Sequence, residues 1–211
     1  MLTIHHLYDS RSERLLYAAS AFAIPHQVKA YPRDPQTGLA PADYKKLHPL
    51  GTAPVIQDGD IVIAESGAAL IYMAQELAGG KGFPAAHSKA YYQCIELVHF
   101  VEGSLFANLM LRAMLKRNGI EATSPSFAMI DIRLQKNMEF LSALLGKQHY
   151  ICGDDLTIAD VMLAFTFDIT QGHCFPGLFE LSNWREYTAL NLYADRLRDS
   201  EHYRYSKRRD F

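Results

Sequence analysis

Glu65-Ser66-Gly67 has the clearest ligand-binding chemistry in the sequence, because it lies where an extended segment turns into a predicted helix. The first N–H groups of a helix have no partner within it, and together with the helix dipole they favour a carboxylate. The Ser66 hydroxyl adds a donor, and the Glu65 carboxylate can accept from an ammonium group. This pair therefore suits a ligand with an ammonium and a carboxylate on one carbon. The alternative is that these residues only cap the helix, which is the commoner role of such a sequence.

Three hydroxyls lie in the loop Tyr8-Asp9-Ser10-Arg11-Ser12-Glu13-Arg14, between the first predicted strand and the first predicted helix. A group that stabilises a thiolate lowers the pKa of the thiol and so activates it. The loop contains no cysteine, so mixed-disulfide chemistry through a cysteine at this position is not expected. Ser10 alternatively serves only as the N-cap of the helix. Arg11 and Arg14 are expected to be surface or salt-bridge residues.

The elements that position these residues follow from apolar patterning. Apolar β-branched segments predict strands, recurrence at helical spacing predicts helices, and Asp58-Gly59 predicts a two-residue hairpin turn. The predicted elements are a strand at 2–7, a helix at 12–23, a strand at 27–31, a short helix at 42–47, hairpin strands at 55–57 and 60–63, and a helix at 66–78. This β-α-β-α-β-β-α order predicts a thioredoxin-like domain.

Pro54 immediately precedes the first hairpin strand and has two interpretations. In the first, the proline only marks the edge of the sheet, because it has no N–H to donate to a neighbouring strand. In a thioredoxin-like fold, a proline at this position is cis and turns the preceding backbone outward. The N–H and C=O of Ala53 are then free to pair with a peptide ligand as an added strand. We favour the second interpretation.

The second half of the chain is predicted to be an all-helical bundle. The run Gly-Gly-Lys-Gly-Phe-Pro at 79–84 is typical of a linker, and no convincing strand follows it. The predicted helices lie at 88–118, 126–145, 157–170 and 184–197. We therefore predict a thioredoxin-like domain at 1–79, a linker at 80–86 and an all-helical domain at 87–211.

The run YICGDDLTIAD at 150–160 contains a helix-start motif. Thr157 is placed as the N-cap and Asp160 as the N3 residue of a capping box, with Leu156 and Val161 as a hydrophobic staple. This motif is interpreted as structural rather than as part of a ligand site.

The run HPLGTAPVIQDGDIVIAESGAALIYM at 48–73 resembles the glutathione-binding stretch of cytosolic glutathione transferases. That stretch carries a proline-glycine turn, a cis-proline, a hairpin and a Glu-Ser or Gln-Ser pair. The run at 150–160 resembles the same family's helix-start signature. The resemblance covers essentially the whole chain, and the loop with Ser10 and Ser12 is similar to that of bacterial and fungal members with a Ser-Arg-Ser type loop.

The resemblance implies that Thr52, Ala53, Pro54, Glu65 and Ser66 bind glutathione, whose γ-glutamyl group carries both charges on one carbon. It also implies that one hydroxyl of the loop stabilises the glutathione thiolate. Ser10 is the first choice by its place after the strand, followed by Ser12 and then Tyr8.

The implied activity is conjugation of glutathione, as co-substrate, to small hydrophobic electrophiles in detoxification, with the helical domain holding the second substrate. The alternatives are a glutathione-dependent lyase, isomerase or disulfide reductase, or a non-enzymatic glutathione-binding regulator, because a fold does not fix a function. The resemblance further implies a homodimer, with Glu102 as a candidate to reach the partner's site.

Composition limits the other function classes. The formal net charge of -2 gives no overall attraction to nucleic acid or anionic lipid, and no uninterrupted apolar stretch approaches the roughly 20 residues of a membrane span. The N-terminus lacks signal-peptide features, and the three widely spaced cysteines form no CxxC motif, which favours a reducing cytoplasm. His5 and His6 face opposite sides of a strand, and the histidines show no metal-ligand spacing, so neither a metal nor a prosthetic group is expected.

Overall fold

The first part of the chain folds around a four-stranded sheet in the order β2-β1-β3-β4. The computed structural model describes all 211 residues. Its strands are β1 (Leu2–Leu7), β2 (His26–Tyr31), β3 (Val55–Asp58) and β4 (Ile61–Ile63). Strand β1 pairs in parallel with β2 and antiparallel with β3, and β3 forms the predicted hairpin with β4. This mixed sheet and the helices around it form the predicted thioredoxin-like fold.

Four helices accompany the sheet: α1 (Glu13–Ala21), α2 (Ala42–Lys45), α3 (Ser66–Tyr72) and α9 (Glu201–Ser206). Helix α3 continues without a break as a π-helical segment, Met73–Leu77. The apolar face of α1 is fully buried and includes Leu15, Leu16, Ala18 and Ala19. Helix α1 packs against α3 and α9, and its burial therefore holds the first turn of α3 beside the first turn of α1.

The chain divides into two compact units: Met1–Ala85 together with Arg198–Phe211, and Ala86–Leu197. The predicted helical domain at 87–211 thus differs from the second unit in its last residues. The physical reason is that α9 packs on α1. Tyr203 is buried and places its ring edge-on to Tyr17, with 5.7 Å between the ring centroids.

The second unit is entirely helical. Its helices are α4 (Lys89–Phe100), α5 (Ala107–Arg117), α6 (Pro125–Leu145), α7 (Ile158–Thr170) and α8 (Thr188–Asp199), whose last residues belong to the first unit. A π-helical segment, Val101–Phe106, joins α4 to α5, and a short 3-10 turn, Trp184–Glu186, precedes α8. Every residue of α7 is buried, which makes it the central helix of this unit.

The continuous helical stretch Lys89–Arg117 is long and apolar enough to cross a membrane when judged by length and composition alone. A core helix of a soluble protein meets the same criterion, so the criterion is weak evidence for a span. Several of its apolar residues lie in the core of the second unit: Cys94, Leu97, Val98, Val101, Leu105 and Leu109.

Candidate functional site

The start of α3 has the geometry of an open helix N-terminus. Glu65 is in an extended conformation at the N-cap position and is exposed, and the helix begins at Ser66. The Glu65 side chain accepts no hydrogen bond from the N–H groups of the first turn, and that turn holds no acidic residue. Because the first N–H groups lack intrahelical acceptors, this end of the helix can receive an anion.

The Ser66 side chain is held by a hydrogen bond from a buried arginine. Arg14 Nη1 in α1 donates to Ser66 Oγ over 3.1 Å, and both residues are 1% exposed. Of the two expectations for Arg14, a surface or a salt-bridge residue, the surface position is therefore wrong. Its position in α1, one turn before the buried Ala18, was the signal that could have placed it on the inner face.

The peptide bond between Ala53 and Pro54 is cis, as the sequence predicts. The pairing of β1 with β3 extends only to Val55, which is opposite His5, so Ala53 lies outside the ladder. Ala53 and Pro54 are buried and Thr52 is exposed. The backbone of this segment is thus placed at the end of the sheet rather than within it.

The three candidate hydroxyls of the β1–α1 loop all bond within the chain. Ser10 Oγ donates to the Leu7 carbonyl over 2.7 Å and lies 2.9 Å from Ser12 Oγ. Ser12 Oγ accepts from Leu7 N–H at 3.1 Å and is 2.9 Å from His6 Nδ1. Tyr8 donates its hydroxyl to the carbonyl of Arg209 over 3.1 Å.

Ser12 directly precedes α1, but its side chain makes no capping hydrogen bond. The Ser10 hydroxyl instead accepts from Ser12 N–H at 3.2 Å, so the alternative in which Ser10 acts as a cap stays open. Ser12 is completely buried, whereas Ser10 is 7% exposed. Of the two serines, Ser10 is thus nearer to solvent. Both contribute to a compact hydrogen-bonded turn that ends β1 and begins α1.

His6 lies beneath this turn and is electrostatically neutral at physiological pH. Burial, together with the positive charges of Arg209 and Lys207, lowers the pKa of His6 to about 4, against an opposing effect of Asp9. The imidazole therefore shares its 2.9 Å hydrogen bond with Ser12 in the uncharged form. Sequence reasoning considered His6 only as a metal ligand and missed this contact.

The C-terminal residues cover the β1–α1 loop. Both guanidinium Nη atoms of Arg209 donate to the carboxylate of Asp9, and the guanidinium carbon lies 5.1 Å from the centre of the Tyr8 ring. Phe211 packs edge-on to His6, with 5.7 Å between the ring centroids. The loop is therefore held by residues about 200 positions away, which no local pattern indicates.

No group of three or more His, Cys, Asp or Glu side chains is arranged to hold a metal ion. The buried carboxylate of Asp160 instead completes the start of α7. It accepts from Ile151 N–H at 2.9 Å, from Thr157 N–H and Oγ1–H at 2.7 Å each, and from the Tyr193 hydroxyl. The predicted capping box is present, and its role is structural.

A thioredoxin-like unit with a cis-proline and an open α3 start, joined to an all-helical unit, is the architecture of the glutathione-binding transferases. Residues 10–76 match the family described as glutathione S-transferase, N-terminal domain, and residues 124–196 match glutathione S-transferase, C-terminal domain. The chain belongs to the cytosolic glutathione transferase superfamily.

Similar proteins agree with this membership. Glutathione S-transferase 3 of Schizosaccharomyces pombe is 29% identical over 187 residues, which cover 81% of this chain and 75% of that protein. The crystal structure of a glutathione S-transferase from Actinobacillus pleuropneumoniae has a TM-score of 0.84 and 26% identity, covering 98% of this chain and 91% of that one. A family member from Pseudomonas fluorescens, solved with two glutathione bound, has the same fold, with a TM-score of 0.83 at 17% identity and coverage of 98% and 92%.

Proposed function

We propose that this protein is a glutathione transferase that conjugates the glutathione thiolate to small hydrophobic electrophiles. The observation that carries the proposal is the open start of α3, where a buried serine, an exposed glutamate and free helix N–H groups lie in a family-matched domain. The Pseudomonas fluorescens relative, solved with two glutathione bound, supports glutathione as the ligand.

Each part of glutathione has a proposed partner in the first unit. The γ-glutamyl carboxylate accepts from Ser66 and the first N–H groups of α3, and the ammonium group binds the Glu65 carboxylate. The cysteinyl backbone pairs with the N–H and C=O of Ala53 in the manner of an added strand, beside Thr52 and Pro54. The position of Ala53 beyond the β1–β3 ladder supports this pairing.

The thiol is activated by a hydroxyl of the β1–α1 loop, and Ser10 is our first choice. When Ser10 turns its hydroxyl from the Leu7 carbonyl to the glutathione sulfur, the donated hydrogen bond stabilises the thiolate and lowers the thiol pKa. The thiol proton passes to solvent water, and the thiolate attacks the electrophilic carbon. The C–S bond forms as the bond from that carbon to the leaving group breaks, and the leaving group departs with the bonding electron pair. Ser12 ranks second and Tyr8 third, and backbone N–H groups at the start of α1 are the remaining source of activation.

The helical unit supplies the apolar surface for the electrophile. Leu109 is buried in the core, whereas Met110 and Met114 are exposed and available to an apolar ligand. Methionine side chains are flexible and polarisable, which suits binding of varied hydrophobic molecules.

Isothermal titration calorimetry with glutathione, followed by turnover with a panel of electrophiles, tests the proposal. Binding with turnover supports a transferase. Binding without conjugation favours a lyase, isomerase, disulfide reductase or non-enzymatic regulator, and absence of binding contradicts the proposal.

The role of Ser10 is tested by the ultraviolet absorbance of the bound thiolate, followed against pH. Ser10→Ala is expected to raise the thiol pKa and to lower the rate at neutral pH by roughly 10- to 100-fold, while glutathione affinity stays nearly intact. Ser12→Ala and Tyr8→Phe are the matched controls, since each removes a rival hydroxyl. If only one of these raises the pKa, the role belongs to that residue.

We also infer that the protein acts as a cytoplasmic homodimer, with Glu102 as a candidate to reach the partner's site and with neither nucleic acid nor a membrane as partner. Family membership supports two-fold assembly. Light scattering at micromolar concentration is expected to give twice the 23.8 kDa chain mass, and a monomer mass would contradict the inference.

A further inference from the structure

We propose that Arg14 is a positioning residue for glutathione, acting through Ser66 on the γ-glutamyl carboxylate. This inference rests on the proposed function and adds to it a residue that does not itself contact the ligand. Arg14 touches Ser66 rather than the ligand.

The contact joins two elements that meet at the candidate site. Arg14 lies on α1 and Ser66 opens α3, and the two helices pack together. The distance from Arg14 Nη1 to Ser66 Oγ is 3.1 Å, and both side chains are removed from solvent. A long cationic side chain is therefore held under the helix start rather than extended into water, where it would ordinarily lie.

This contact sets the direction of the serine hydroxyl. A guanidinium group only donates hydrogen bonds, so Ser66 Oγ must act as the acceptor toward Arg14. The single hydroxyl hydrogen of Ser66 is then directed away from Arg14. It is available to a carboxylate at the start of α3, and the hydroxyl is a better donor because a charged group polarises its oxygen.

The charge of Arg14 acts in the same direction. A cation one hydroxyl away from the ligand carboxylate, in a site of low solvent access, attracts that carboxylate more strongly than a surface cation would. Lysine does not replace it fully, since the planar guanidinium fork fixes the donor geometry and a flexible ammonium group does not.

The test compares two ligands and is read by calorimetry. Glutathione is paired with 4-aminobutanoyl-cysteinylglycine, which is glutathione without the carboxylate of its γ-glutamyl group. Arg14→Met is expected to weaken glutathione binding by about 10-fold or more and to change binding of the analogue by less than about 2-fold. Lys29→Met, which removes a positive charge at an exposed position of β2, is the control and is expected to leave both affinities unchanged.

Arg14→Lys is the second variant if Arg14→Met does not fold, as judged by circular dichroism. It is expected to lose part of the glutathione affinity and none of the analogue affinity. When Ser66 is already alanine, Arg14→Lys is expected to have no further effect on glutathione binding. The reason is that Arg14 acts through the Ser66 hydroxyl, which this background lacks.

Two failures are distinguishable. If the unmodified protein binds glutathione but an Arg14 variant loses equal affinity for both ligands, Arg14 only supports the fold, and the inference is overturned while the proposed function stands. If the unmodified protein binds neither ligand, the proposed function fails and the inference fails with it.

Discussion

The N-termini of α7 and α3 both depend on which acceptors lie at the start of a helix, but the two starts differ in what the chain supplies. At α7 a carboxylate of the chain itself occupies the helix start, because Asp160 lies at the N3 position and accepts from Thr157, Ile151 and Tyr193. At α3 the N3 position is Ala68, and no acidic residue lies in the first turn. One helix start is closed by the protein, and the other is left open.

The difference separates a folding motif from a proposed binding site within one chain. A buried carboxylate with several internal donors stabilises a turn and has no capacity left for a ligand. An open start with a buried serine and an exposed glutamate keeps its donors for a molecule that arrives later. Both runs resemble family signatures, and their different hydrogen-bond patterns support our proposal that only the α3 start binds a ligand.

Removal of the α7 carboxylate has the largest expected effect. Asp160→Ala leaves buried donors of Ile151, Thr157 and Tyr193 without an acceptor, and is expected to lower the free energy of unfolding by about 3 to 5 kcal/mol. Urea denaturation measures this. Asp155→Ala, at an exposed position of the same turn, is the control and is expected to change stability by less than about 0.5 kcal/mol. A small effect at Asp160 would contradict the description of a closed start.

Substitutions at the open start of α3 have the next largest expected effect. They are expected to change glutathione binding rather than stability. Glu65→Ala and Ser66→Ala are each expected to weaken glutathione binding by about 1 to 3 kcal/mol through lost charge-assisted hydrogen bonds. Calorimetry on folded variants measures it. Glu76→Ala, exposed on the π-helical continuation of α3, is the matched control. Unchanged affinity in both site variants would remove the binding-site assignment.

The start of α1 shows a third arrangement, since the Ser10 hydroxyl accepts from Ser12 N–H and the buried Ser12 hydroxyl bonds to neutral His6. The folded-state pKa of His6, about 4, is below its ordinary value of 6.5. The unfolded chain thus takes up the proton first, so this stabilisation is complete above pH 6.5 and is lost as the pH falls toward 4. Between pH 7 and pH 5 the loss is about 2 kcal/mol.

The variant His6→Asn tests this pH dependence. Urea denaturation at the two pH values is expected to show a smaller acid loss in the variant than in the unmodified protein. His149→Gln, at an exposed position, is the control and is expected to retain the full loss. An equal loss in His6→Asn would show that other groups carry the acid sensitivity.

The sequence predicts those parts of the fold that depend on neighbouring residues. The hairpin around Asp58-Gly59, the capping box at Thr157 and Asp160, and the α3 start at Ser66 are all set by spacings of a few positions, and each element lies within a few residues of its predicted bounds. Their signals are local because turns and caps are closed by local hydrogen bonds.

The remainder depends on contacts between distant residues. Arg14 meets Ser66 across 52 positions, and the Tyr8 hydroxyl meets Arg209 across 201. Helix α9 was missed, although Ser200 offered a local N-cap signal by accepting from Tyr203 N–H at 3.1 Å. The π-helical segment Val101–Phe106 also gives no signal in apolar periodicity, because it inserts within a continuous helical pattern.

The sharpest test of the comparison converts the open start into a closed one. Ala68→Asp places a carboxylate at N3 of α3, the position that Asp160 occupies in α7, and Ala68 is exposed, so the side chain can be accommodated. The new charge lies at the helix start that we propose for the γ-glutamyl carboxylate, and the two negative charges repel each other. Glutathione binding is expected to weaken by about 3- to 10-fold, or about 1 kcal/mol, by calorimetry.

The charge-free variant Ala68→Asn separates charge from shape, because it has nearly the same size as aspartate. It is expected to bind glutathione almost as the unmodified protein does, and the deficit of Ala68→Asp is expected to shrink in 1 M salt, where the Debye length is about 3 Å. Stability of Ala68→Asp should change by less than about 0.5 kcal/mol, since attraction to the helix start is offset by repulsion from Glu65. Equal weakening in both variants would mean that shape, not charge, governs this position. Unchanged binding in Ala68→Asp would mean that the ligand carboxylate lies elsewhere, and that the α3 start is open without being used.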